Sequence, residues 1–364
     1  MRKLFFLSQV LIPLRNSKMS SVIPSVFDMD IGKDPDDTCV ALLVALNPDK
    51  YQPALMITND ESKTKGRARF LSEVVNKAGA NILVASGLPS TKNRDDTLVE
   101  RAGLVPKKRE DFIEDGIAYL TELIGDHDQI NYFGLGALTN LATVLKSHPE
   151  FAEKINLVQM GPSLQGAYRK KAPQYNVRID VQSFIDVLSR VKNPTLLMSH
   201  ASWGAYGEKG SRQQLGIYVE DPVHQALVDS NNKGLNLFAE HLRVWNESGK
   251  PCSIMHDPLT VLSRYSNVVD YVSGELIADK EGFFDLTQAT KENLKKIDSN
   301  RLVKLGDYML TKTEIKPSFL IEVIFSLNTN YDSARIEIAK GLFGADVPKD
   351  LADKWKGYNK HRSA

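Results

Sequence analysis

Short apolar runs that suit buried strands recur along this chain, at Val22 to Phe27, Ala54 to Thr58, Ile82 to Ala85, Ile130 to Leu135, Ile155 to Met160 and Thr195 to Ser199. Runs of this length, bounded by turn residues, are what a sheet covered on both faces requires. Between them, Thr38 to Leu46, Gly66 to Lys77, Asp111 to Ile124 and Leu138 to Leu145 carry apolar residues at helical spacing. The alternation predicts an α/β fold with a mostly parallel, Rossmann-like open sheet flanked by helices. Ligands of such sheets gather beyond the carboxyl ends of the strands. No repeat, low-complexity tract or linker interrupts the pattern, so one domain is expected over residues 22–345. An extension at 1–21 precedes it, and a charged tail at 346–364 follows, in which Trp355 would dock a last helix.

A composition of 42% hydrophobic and 25% charged residues over 364 positions is that of a soluble globular protein with a sizeable core. The formal net charge of +1 supplies no global field, which argues against nucleic acid or an anionic membrane surface and for a small ligand. Cys39 and Cys252 lie in or beside apolar stretches without metal-ligand spacing and read as buried thiols. At the N-terminus, Arg2-Lys3 followed by Leu4 to Leu14 imitates a signal peptide, although Ser8 and Gln9 dilute the run and no small-residue cleavage site follows. Two readings stay open: a cytoplasmic protein with an internal start at Met19, or an exported one with a signal in residues 1–18. The run is too short to span a bilayer.

The most pointed chemistry lies directly after the first apolar run. Asp28-Met29-Asp30-Ile31-Gly32-Lys33-Asp34-Pro35-Asp36-Asp37 places five carboxylates in ten residues, ahead of the helical stretch from Thr38. Like charges so close drive one another toward protonation, and a divalent cation keeps them ionised together. An all-oxygen ligand set favours calcium or magnesium over zinc. Capping of the following helix accounts for one or two of these aspartates but not for five.

This segment resembles the fingerprint Asp-Thr-Asp-x-Gly-x-Asp-Asp of the inosine-uridine-preferring nucleoside hydrolases, which binds one calcium ion; here two residues are inserted before Asp36-Asp37. The resemblance implies that Asp30 and Asp37 are calcium ligands, that Asp30 is also the general base, and that Asp36 holds the ribose 2′-hydroxyl. Asp34 belongs to the insertion and has no implied role. Leu135-Gly136-Ala137-Leu138-Thr139-Asn140 is similar to the family's Gly-Pro-Leu-Thr-Asn turn, whose preceding carbonyl, here that of Leu135, completes the calcium shell. Met160-Gly161 matches the end of the family's Met-Gly-Gly strand, with Pro162 in place of the second glycine. Met255-His256-Asp257-Pro258-Leu259 resembles the segment that gives the last calcium ligand, here Asp257, and a histidine near the leaving base, here His256.

In the ribose clamp the family's Glu-Phe-Asn triplet becomes Gln174-Tyr175-Asn176, and no asparagine precedes it in Gln165 to Lys171. Gln174 can still bond a hydroxyl but brings no negative charge to a developing oxocarbenium ion. Asn59 and Asp60, after the second strand, are candidates to face the pocket. Trp203 and Tyr206 are candidates to stack on a planar base, with ordinary packing as the competing reading. His127, His148, His224 and His241 are expected at the surface.

The resemblance implies calcium-dependent hydrolysis of the N-glycosidic bond of a ribonucleoside or related N-riboside. Two other readings compete. Phe27-Asp28-Met29-Asp30-Ile31-Gly32 also resembles the nucleophile loop of haloacid-dehalogenase-type phosphatases, with Asp28 attacking phosphorus, although Gly32 stands where that family has threonine. Gln174 would also suit a non-catalytic, calcium-dependent nucleoside or sugar binder. An exposed apolar helix face would support a homo-oligomer.

Overall fold

Strand β1 (Ser25–Met29) is buried at every residue, so it needs neighbours on both edges and cover on both faces. It pairs in parallel with β2 (Pro53–Thr58) on one side and β4 (Ile130–Gly134) on the other. The computed structural model describes residues 22–90, 97–107, 112–164, 172–203, 215–297 and 318–344, with Val347, Leu351 and Trp355. The other strands of its larger sheet are β3 (Val84–Ala85), β5 (Ile155–Met160), β6 (Thr195–Leu197), β9 (Val269–Ala278), β10 (Phe284–Leu286) and β11 (Phe319–Thr329). These nine strands run in the order β10-β9-β11-β6-β5-β4-β1-β2-β3, and β7 (Gly216–Tyr218) pairs separately with β8 (Cys252–Ile254). The chain builds β1, β2 and β3 toward one edge, then returns to lay β4, β5 and β6 on the far side of β1. The order therefore reverses between β1 and β4, where an open α/β sheet leaves a crevice beyond its carboxyl ends. The acidic loop leaves β1 at that point.

Side chains alternate along β1 as a pleated strand requires. Phe27 and Met29 enter one apolar layer and Val26 the other. Phe27 stacks on Phe133 of β4 with centroids 4.9 Å apart and planes 5° from parallel. The helix Asp36–Leu46 is buried almost all round, because the helices Gly66–Ala78, Lys233–Glu247, His256–Tyr265 and Tyr331–Phe343 pack about it. Such a helix has no polar face to keep, consistent with the unbroken run Cys39 to Leu46. Trp355 is buried as expected, its indole N–H donating to the Gly216 carbonyl.

All six expected strands are present, with β1 set about two residues later than the apolar run. The helix expected from Asp111 starts at Gly116, where the Asp115 side chain accepts the Ala118 N–H at 3.1 Å; residues 108–111, like the extension 1–21 and most of the tail, lie outside the described residues. The antiparallel extension β9, β10 and β11 was not legible, since β9 mixes buried, half-buried and exposed positions without alternation. The sheet is mostly parallel and mixed at that end. No helix among the described residues is long and apolar enough to cross a membrane.

His224 and His241 are corrections to the sequence reading. Both are buried, His241 completely, because the period of the helix Lys233–Glu247 sets His241 beside Phe238 and Leu242 on the inner stripe, away from exposed Arg243. Its Nδ1 shares a hydrogen bond of 2.9 Å with Thr38 Oγ1. Burial pushes its pKa from 6.5 down to about 3. The unfolded chain then binds a proton that the folded chain refuses, so stability is lost as pH falls below about 6.5. In urea titrations between pH 6.5 and 5, His241→Gln should remove up to about 1.4 kcal/mol per pH unit of that decline. An unchanged slope would count against the buried neutral ring.

Asp28, on β1, is fully buried and accepts hydrogen bonds from Asn59 Nδ2 at 2.7 Å, Asn140 Nδ2 at 3.0 Å and the Tyr132 hydroxyl. Burial raises its pKa to about 7 against the lowering effect of these donors. Asn140 also donates to the Thr58 carbonyl at 2.9 Å and accepts the Leu88 N–H at 2.9 Å, so one side chain joins the ends of β1, β2 and the loop after β3. Asn140→Leu strands several buried groups and should cost about 2–4 kcal/mol of unfolding free energy in urea, at about 1–3 kcal/mol per orphaned group.

Candidate metal and ligand site

The acidic loop turns at Gly32, whose φ of +107° is a conformation that side chains rarely adopt, and whose added Cβ would lie 2.9 Å from Val99 Cγ2. Arg67, itself buried, holds the turn from beneath: it donates to the Ile31 carbonyl at 2.7 Å and pairs with Asp60 at 3.2 Å. Asp34, in the insertion, accepts from the Ser253 hydroxyl, which fastens the inserted turn to β8. Burial raises Asp34 to about 7.

Beyond the turn, oxygens of Asp36, Asp37 and Asp257 lie within 4.8 Å of one another, all three residues buried. The Asp257 N–H points at Asp36 Oδ2 at 3.5 Å, and Asp37 Oδ1 is buried without a hydrogen-bond donor among the described residues. Burial, and then the neighbouring carboxylates, push all three well above the usual carboxylate range. Half-buried Asp30 reaches Asp37 with its side chain, and its charge acts on Asp28, Asp34, Asp36, Asp37 and Asp257. A donor set of hard oxygens, one of them unpartnered and buried, fits a divalent cation.

Leu135 follows directly on the end of β4. Its N–H donates to the Asp28 carbonyl at 2.7 Å, and its own carbonyl accepts Asn176 Nδ2 at 2.7 Å. A carbonyl has a second lone pair, so this bond leaves capacity for a cation. Gly136 follows because Asn59 occupies the space: an added Cβ would meet Asn59 Oδ1 at 2.3 Å. Asn59 is wholly buried, donating to Asp28 and accepting the Ala137 N–H at 3.2 Å. In this structure it is a brace between β1 and the Leu135 turn.

Met160, Gln174 and Asn176 converge. The Met160 sulphur accepts from Gln174 Nε2 at 3.4 Å and from Asn176 Nδ2 at 3.6 Å. Gln174 Oε1 also caps the helix Tyr175–Ile179 by accepting the Val177 N–H at 3.3 Å. A glutamate could cap as well but could not donate to sulphur, which gives glutamine a structural reason here. Lys33 of the acidic loop lies over the Tyr175 ring, 4.4 Å from its centroid, so this loop meets the start of that helix.

His256 opens the helix His256–Tyr265, with Met255 rather than Asp257 at the cap, and its Nδ1 bonds Ser202 Oγ. Burial pushes its pKa down to about 4, which keeps the ring neutral. On the sequence alone a residue of the 199–206 stretch is the second candidate, after His256, to give the departing base a proton, but nothing there singles out Ser202. The helix His200–Trp203 ends at Trp203, whose side chain, together with Tyr206 and residues 165–171, lies outside the described residues.

The family model of the inosine-uridine preferring nucleoside hydrolases matches residues 25–304, and the chain belongs to that family. Among solved structures, a plant nucleoside hydrolase superposes with a TM-score of 0.67 at 16% identity, over 88% of this chain and 98% of its own. An inosine-uridine preferring nucleoside hydrolase from Bacillus anthracis gives 0.62 at 14% identity, over 88% and 99%. An effector protein shares the fold with a TM-score of 0.58 at 12% identity, over 89% and 94%. The sequence matches none of the curated proteins.

If the carboxylates hold a divalent cation, calcium chloride should raise the thermal midpoint, the gain in unfolding free energy being about 2–3 kcal/mol at a hundred times Kd. Asp37→Asn should reduce the shift, since it removes the negative charge and one of the two carboxylate oxygens. No shift in the unaltered protein, measured by calorimetry after chelation, would exclude the site.

Proposed function

We propose that this protein hydrolyses the N-glycosidic bond of a ribonucleoside or a related N-riboside with one calcium ion. The observation that carries this reading is the convergence of Asp36, Asp37 and Asp257, with Asp30 beside them, at the switch point of a sheet from this family. Asp30, Asp37, Asp257 and the Leu135 carbonyl would hold the ion. When bound, it would polarise water and anchor the vicinal ribose hydroxyls.

The remaining chemistry falls to the chain. Asp30, half-buried and so reachable, accepts the proton of the attacking water as its oxygen bonds to C1′. The electron pair of the breaking C1′–N bond passes to the departing base, which the neutral His256 ring stabilises through an N–H. Asp36 orients the ribose 2′-hydroxyl, while Met160, Gln174 and Asn176 line the sugar. Asn59 acts behind them as a brace, and Trp203 is the candidate to cover the base.

The phosphatase alternative needs an accessible nucleophile at Asp28. That carboxylate is fully buried with hydrogen bonds on both oxygens, which opposes the reading. A calcium-dependent binder without turnover remains the second reading, favoured by the neutral Gln174 and by the effector protein that shares the fold. Release of reducing sugar from common ribonucleosides in the presence of calcium separates the two. Asp30→Asn should lower kcat by about 100- to 10,000-fold, the usual weight of a general base, while nucleoside binding persists. A folded protein that binds nucleosides yet releases no sugar would be the binder.

A further inference from the structure

Tyr175 opens the helix Tyr175–Ile179, between Gln174 and Asn176, and two positive charges lie over its ring. Lys33, exposed on the acidic loop, places Nζ 4.4 Å from the ring centroid. Arg178, half-buried and three residues further along the helix, places its guanidinium carbon 5.1 Å from the same centroid. An aromatic face attracts a cation, so either contact alone is ordinary; together they hold two like charges beside one ring. No carboxylate among the described residues pairs with Arg178. The acids closest to the two cations along the chain are engaged elsewhere. Asp34 feels the Lys33 charge but accepts from the Ser253 hydroxyl, and Asp180 accepts from Thr139 Oγ1 at 2.8 Å and Ser183 Oγ at 2.7 Å.

The two charges stand where the segments that supply the sugar contacts meet. Lys33 lies between Asp30 and Asp36, and Arg178 belongs to the helix whose Asn176 reaches the Leu135 carbonyl. In the reaction proposed above, the ion and Asp36 take the vicinal hydroxyls of the ribose, which leaves O5′ as the one sugar hydroxyl without a charged partner. Gln174 works to the same end. Its contact with the Met160 sulphur accounts for the amide structurally, and the amide also keeps a negative charge away from Tyr175. A phosphate monoester carries about 1.5 to 2 negative charges near pH 7, which two cations match. Arginine meets such a group with two parallel N–H bonds, and lysine meets it as a point charge.

We propose that the substrate of this site carries a phosphate on O5′, bound by Arg178 and Lys33 beside Tyr175, so that the substrate class is a ribonucleoside 5′-monophosphate or a related N-riboside 5′-phosphate. The inference rests on the reading of the site as an N-riboside hydrolase. The oxygen of water bonds to C1′, and the electron pair of the C1′–N bond leaves with the base. The proton of that water passes to Asp30 and reaches the base through solvent. The phosphoester is untouched, so the products are the free base and ribose 5-phosphate.

The test compares kcat/KM, with calcium present, for sugar release from the four common ribonucleosides and from their 5′-monophosphates. The unaltered protein should prefer at least one monophosphate over its own nucleoside by about 10- to 100-fold, the weight of one or two charge-assisted hydrogen bonds. Taking the ratio cancels any general loss of activity in a variant. Arg178→Gln should cut the ratio about tenfold, and Arg178→Lys should keep part of it. Lys33→Gln and Gln174→Glu should each lower it as well. No monophosphate cleaved better than its nucleoside, or a preference that survives Arg178→Gln and Lys33→Gln combined, would overturn the phosphate site. Calorimetry supplies a readout without turnover: ribose 5-phosphate should bind more tightly than ribose, and the difference should shrink in Arg178→Gln. Equal affinities for the two sugars would refute the proposal. Release of no sugar from either set of substrates would refute the hydrolase reading instead.

Discussion

Withdrawing several carboxylates from water at one point is the constraint around which this structure is organised. A single buried carboxylate already drifts toward neutrality, and a group of them adds mutual repulsion to the cost. The fold answers with two different solutions a few residues apart. Asp28 is satisfied by protein donors alone, with Asn59, Asn140 and Tyr132 enclosing it. Asp36, Asp37 and Asp257 receive far less, and Asp37 keeps a buried oxygen with no donor among the described residues. The first arrangement is a structural joint. The second is a group that could hold an outside charge.

The joint serves that group. Asn59 reaches from Asp28 to the turn that presents the Leu135 carbonyl, and Asn140 ties the ends of β1 and β2. Arg67 supports the acidic turn from beneath through the Ile31 carbonyl, and its charge partly offsets that of Asp37. Each brace uses a buried polar side chain with its partners supplied, the condition under which such groups rigidify a core rather than weaken it. The candidate ligands therefore stand on the ends of strands and helix starts whose positions are fixed by hydrogen bonds.

Much of this was legible because its signals are local. The short apolar runs marked the parallel half of the sheet, and the crowding of Asp28 to Asp37 marked the loop. Asp257 could be joined to that loop only through the family resemblance, since nothing in spacing brings residues 37 and 257 together. Roles that depend on facing partners were out of reach. The bracing contacts of Asn59 were not readable, because loop polarity says nothing of the glycine and the carboxylate it wedges between. His241 read as exposed because charged neighbours in sequence masked its place on the inner stripe. Within the 199–206 stretch nothing distinguished Ser202, as a serine near a turn is ordinary until its histidine is seen. The antiparallel strands β9 to β11 escaped because half-buried strands near a sheet edge lack a clean apolar pattern.

The distance along the chain between the members of the trio sets a schedule for folding. Asp36 and Asp257 are separated by 221 residues, and β1, β4 and β5 must be in register before the crevice between them exists. During synthesis the acidic loop leaves the ribosome long before its last carboxylate partner, so its aspartates stay solvated and ionised while the first half of the sheet assembles. Closing the helix His256–Tyr265 onto that loop then brings the final acid into the dry interior. An ion that needs all three carboxylates could therefore be held only after residues 36 and 257 have been brought together.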